Sequence, residues 1–123
     1  MREALLYAGA ALPALWGVSH LFPTRDVIRG FGAISVDNQR IVAMEWINEG
    51  ATLIFIGVLV AAVTAVDSQS DAAMASYLTS FVALNALSVI SLFTGFRIAF
   101  LPFRLCPVIF SGSSLLILAG SQV

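Results

Sequence analysis

Four long apolar runs dominate the chain, at residues 4–22, 41–66, 72–94 and 105–120. A hydrocarbon layer of about 30 Å takes roughly 20 helical residues at 1.5 Å each, so most of these runs are long enough to cross it. The stretch 50–66 carries no charge at all. In lipid, backbone groups must be paired within the segment or in a closed barrel, and nothing here alternates with the period of two that a barrel strand needs. The runs therefore read as helices. The expected fold is all-α, an integral membrane four-transmembrane-helix bundle forming a single domain over 1–123, with small and polar residues in its core. The fourth run is short; its start moves toward Ile98 if Pro102 and Pro107 bend the helix rather than break it.

Composition agrees. Hydrophobic residues make up 59% and charged residues 11%, against about 45–50% and 25% in ordinary soluble domains. Mean hydropathy is +0.97. This excludes intrinsic disorder, a soluble enzyme with a solvated surface and a basic nucleic-acid binder, and makes the lipid bilayer the first partner. Six arginines face seven acids, with no lysine and no block of like charge, so a polybasic lipid-binding tail is absent. The single Cys106 excludes an internal disulfide, and one Cys with one His makes no zinc set; the expected metal is none. Met-Arg-Glu-Ala-Leu-Leu resembles the start of a signal peptide. No small-residue cleavage site follows, so the segment reads as a retained first span.

The connections differ in kind. Residues 23–40 form one long loop, in which Thr24 can cap a short interfacial helix ended by Gly30 or Gly32. Ser35 is a good N-cap for a helix running through Arg40 and Glu45 into the second span, with Asp37 in its first turn. Residues 67–71 make a tight polar turn, and 95–104 an interfacial link. The end with both termini and the 67–71 turn holds only Arg2; the other holds Arg25, Arg29, Arg40, Arg97 and Arg104. The positive-inside rule then puts the 23–40 loop in the cytoplasm and both termini outside, as in a bacterial-type inner membrane.

The most informative stretch is Met44-Glu45-Trp46-Ile47-Asn48-Glu49-Gly50. Glu45, Asn48, Glu49 and Thr52 share one helical face. Carboxylates at membrane depth are costly, so this face should look into the bundle or onto a partner. His20 ends the first span at the same level, and Arg97 and Arg104 bracket the other loop there. His20, Glu45, Asn48 and Glu49, with Arg97 or Arg104, form the candidate polar pocket. The alternative is a structural network anchoring helix ends. A His20–Glu pair would be able to handle protons. In the third span Asn85, Ser88 and Ser91 make a polar stripe, read as bonding to a neighbouring helix or lining a cavity. Gly50, Gly57 and 111–114 read as packing positions, Cys106 as inert, and Trp16, Trp46, Phe22, Phe100 and Phe103 as interfacial belts. No Walker loop, G-x-S-x-G, H-E-x-x-H or Glu-x-x-His motif occurs, so catalytic residues and cofactors stay unassigned and the reading leans away from an enzyme.

The second span contains Glu49-Gly50-Ala51-Thr52-Leu53-Ile54-Phe55-Ile56-Gly57, an acid followed by glycines, and the first ends Ser19-His20-Leu21-Phe22. Over these two spans the chain resembles the DoxX-like small four-helix membrane proteins. That resemblance implies an accessory membrane subunit and an architecture, with no active-site residue. Small multidrug-resistance transporters share the size, but their acid lies inside the first span, where this chain has none. The expected function is an accessory or assembly subunit, or a homo-oligomer. The alternatives are a membrane-embedded binder or enzyme for a lipophilic ligand such as a sterol, quinone or isoprenoid, and a homodimeric proton-coupled transporter using Glu45 or Glu49.

Overall fold

A computed structural model describes residues 1–123 as five helices: α1 Arg2–Leu21, α2 Thr24–Gly30, α3 Val36–Asp67, α4 Asp71–Thr94 and α5 Leu101–Gln122. Four of them, all but α2, are long and apolar enough to span a membrane. The architecture is thus the four-span all-α bundle that the apolar runs require. α1 packs most extensively on α3 and also against α5, α4 packs on α5, and α3 meets α4 least.

Local chemistry sets the helix ends. The Ser35 hydroxyl accepts from Asn38 N at 3.2 Å and starts α3, and Ser70 caps α4 by accepting from Ala73 N at 3.2 Å. Thr24 does not cap α2. It is the first residue of that helix, and its hydroxyl donates back to Leu21 O at 2.6 Å, tying α2 to the end of α1. The fourth span begins at Leu101 rather than Leu105, because Pro102 sits in the first turn, where its missing N–H is not needed. Pro107 lies inside α5.

Proline also shapes the first helix. Pro13 sits inside α1 and is buried. It cannot donate to the carbonyl four residues back, Gly9 O. The Ser113 hydroxyl of α5 donates to that oxygen at 2.6 Å. Serine 113, fully buried, therefore replaces the hydrogen bond that Pro13 removes.

The α1–α3 seam is a backbone-to-backbone contact. A Cβ on Gly17 would lie 2.6 Å from Gly50 O, and one on Gly50 would lie 2.7 Å from Leu21 Cδ2. Gly57 faces Ala10 O and Ala14 in the same way. Without side chains here the helices approach closely. The core around Leu6, Leu53, Val60, Tyr77, Leu84 and Phe110 is apolar, with hydroxyls buried among it. Tyr77 and Thr64 bond at 2.9 Å. Because Thr64 donates to Val60 O, its oxygen accepts from Tyr77. Ser88 donates to Pro107 O at 2.9 Å and meets Ser111 Oγ at 2.8 Å, joining α4 to α5.

Arg2 fastens one end of the bundle. Its guanidinium donates to Ser68 O at 2.6 Å and Val123 O at 3.3 Å. The start of α1, the α3–α4 turn and the end of α5 thus share one end with the only arginine there. The other five arginines lie at or beyond the opposite end.

Candidate functional site

The site grows from the α1–α3 seam at the arginine-rich end. The glycine contact brings His20, at the last turn of α1, against Trp46 of α3. Their rings stack with centroids 3.8 Å apart and planes 15° apart. Trp46 Nε1 donates to His20 O at 2.7 Å, which satisfies a carbonyl at the helix end. Phe103 of α5 meets Trp46 edge-on at 5.7 Å, and Phe100 meets Phe103 at 6.0 Å. Both are preferred aromatic geometries.

Three adjoining spaces surround this cluster. A cavity of about 160 Å3 is walled by Trp16, His20, Trp46, Phe100, Phe103 and Cys106, with Ser19 at its exposed rim. A wider groove of about 560 Å3 between the ends of α3 and α4 holds His20, Glu45, Asn48, Glu49 and Thr52. A third space, about 620 Å3, runs under α2 and is bounded by Asp26, Phe31, Trp46 and Phe103. His20, Phe103 and Cys106 border both the cavity and the groove.

His20 is the buried polar group of the site, its side chain 7% exposed. Glu49 Oε2 lies 3.5 Å from its Nε2, but the two are not aligned as a hydrogen bond, and Nε2 has no partner. Trp16 Nε1 is likewise buried, beside the Cys106 thiol but without an aligned hydrogen bond. Two such nitrogens beside one small cavity are unusual, since buried polar groups are nearly always bonded. The Cys106 thiol donates to Pro102 O at 3.4 Å.

The residues expected to form a pocket divide into two groups. His20, Glu45, Asn48 and Glu49 come together around the groove. Glu49, half-buried, is the one that turns toward His20, while Glu45 and Asn48 stay exposed. Arg97, Arg104 and Asn85 border none of the three spaces. Arg104 Nε instead donates to Ile98 O at 3.1 Å, in the link before α5. Asn85 donates to Phe81 O of its own helix at 2.8 Å, leaving Ser88 to make the bond between helices. No three His, Cys, Asp or Glu side chains are arranged to hold a metal ion.

The aromatic wall is the part that sequence reasoning missed. Trp16, Trp46, Phe100 and Phe103 read singly as interfacial belt residues, yet the fold gathers them around one space. The available signal was that Trp16 and His20 share a face of α1 while Trp46 adjoins Glu45 and Glu49.

Fold and site together define a four-span membrane helix bundle with an aromatic and acidic mouth at its arginine-rich end. Compared with protein-family models, curated proteins and solved structures, the chain matches none.

Proposed function

We propose that the protein binds an amphiphilic small molecule at the arginine-rich end of the bundle, with the apolar part in the Trp16–Trp46 cavity and the polar part in the groove at Glu49. The observation that carries this reading is the aromatic cavity bordered by two buried nitrogens without an aligned hydrogen bond, His20 Nε2 and Trp16 Nε1, the latter beside the Cys106 thiol. Apolar walls with a few convergent polar atoms are what a small-molecule site needs. A cavity of this size accommodates a benzene-sized ring. The Glu49-Gly50 segment behind the resemblance to DoxX-like proteins is the one that carries the groove. The distribution of arginines supports a cytoplasmic position for this mouth.

Trp16 and Trp46 are the only tryptophans, so emission from the purified protein reports on this site alone. Titration with benzyl octyl ether in dodecyl maltoside should change that emission saturably. Ser19→Phe, which fills the cavity from its exposed rim, should abolish the saturable phase. A purely linear partitioning response in the unaltered protein rejects the reading.

A second reading has its own observation. Ala10, Ala11, Ala14, Gly57, Val58 and Ala61 line a shallow groove of about 330 Å3 along α1 and α3. Small residues along a lipid-facing groove favour close docking of another helix, as an assembly subunit or homo-oligomer requires. Ala11→Leu should then shift the oligomeric or co-purified state in light scattering. An unchanged mass removes this reading.

A further inference from the structure

We infer that the ligand of this site is an organic cation, an ammonium carried on an aromatic or alkyl body. The inference rests on the proposed binding function and goes beyond it by naming the charge. Glu45 and Glu49 border the groove, and Asp26 borders the space under α2. No arginine borders any of the three spaces. Asp26 is paired with Arg29 at 3.5 Å, so the lining acids without an arginine partner are Glu45 and Glu49. Glu45 has no ion-pair partner, and the only cationic candidate near Glu49 is His20, 3.5 Å away and not hydrogen-bonded to it. Although this end of the bundle carries five arginines, the groove wall itself presents Glu45 and Glu49 and no arginine, beside low-dielectric aromatic walls that strengthen attraction for a cation.

The second observation is the aromatic box. Trp16, Trp46, Phe100 and Phe103 present rings to the cavity next to those carboxylates, and ring faces attract alkylammonium groups. His20 Nε2, on a side chain more than nine-tenths buried, stands unbonded between cavity and groove. An imidazole nitrogen that carries no proton accepts from an ammonium N–H. An anionic head would meet half-buried Glu49 with like charge, and a neutral one would leave it with His20 alone. A cation pairs with Glu49 while its ring enters the 160 Å3 cavity. The ammonium could arrive on a free amphiphile or on the headgroup of an ethanolamine lipid, both of which carry an N–H.

The test uses the full chain in dodecyl maltoside, read by tryptophan emission, with two probes of similar shape: N-benzyl-N-methyloctylamine, protonated at neutral pH and so carrying an N–H, and benzyl octyl ether. Glu49→Gln keeps the side-chain shape and removes the charge. It should weaken ammonium binding about tenfold and leave ether binding within twofold. Glu45→Gln, at an exposed position, gives the same comparison where Glu49→Gln disturbs folding, with a smaller loss expected. Equal effects on both probes overturn the cation and keep the binding function. Failure of both probes to saturate rejects the two together. Mixed micelles with phosphatidylethanolamine separate the sources: competition with the ammonium probe assigns the site to the lipid headgroup, and no competition to a free amphiphile.

Discussion

Ser113 shows how one hydroxyl can complete another helix. Its bond to Gly9 O exists because Pro13 leaves that oxygen free. Ser114, equally buried, only donates back to Ser111 O in its own helix. Ser113→Ala should therefore destabilise the bundle by about 1 kcal/mol, and Ser114→Ala by less, in thermal unfolding followed by circular dichroism. Pro13→Ala restores the missing N–H, so the cost of Ser113→Ala should shrink in that background. An additive double-mutant cycle refutes the link. None of this is written in 111–114, which reads as a small-residue packing stretch. The bond needs the packing of α1 on α5, and local sequence does not encode it. Asn85 shows the converse. Its chemistry permits a bond to another helix, but the carbonyl four residues back is nearer at hand.

Among the elements, α3 is the one that organises the site. At 32 residues and 1.5 Å each it is about 48 Å long, well beyond a hydrocarbon layer of about 30 Å. Its first turns can stand in the headgroup region, where exposed Glu45 meets water, while Gly50 and Gly57 press on α1. Gly17→Ala would push Cβ onto Gly50 O and should cost about 1–3 kcal/mol. Because the seam sets the His20–Trp46 stack, the same variant should also shift tryptophan emission. Gly112 has open space around it, so Gly112→Ala should be neutral or stabilising by up to about 1 kcal/mol. Equal melting temperatures for the two variants would refute the close-contact account. This element was legible: the Ser35 cap, the shared face of Glu45, Asn48 and Glu49, and the glycines are all local patterns. The aromatic wall was not, since Trp16, Trp46 and Phe103 come from three helices and carry no mutual spacing signal.

For the molecule as a whole, the two ends differ. Arg2 clasps one end by bonding two carbonyls, while the other holds the cavity, the groove and α2. The proposed orientation predicts that a cysteine at Gln69 reacts with an impermeant maleimide applied to intact cells, and one at Ser35 only after permeabilisation. The native Cys106, buried, should stay silent. The reverse pattern would invert the topology. The Pro13–Ser113 pair also has a consequence for biogenesis. The bond spans 104 positions, so α1 enters the bilayer with an open carbonyl that only the final helix closes. A chain halted before α5 remains marked by that defect, and quality-control proteases have a reason to remove it. Pro13→Ala, which erases the mark, should lengthen the lifetime of such a truncated chain in a pulse-chase experiment.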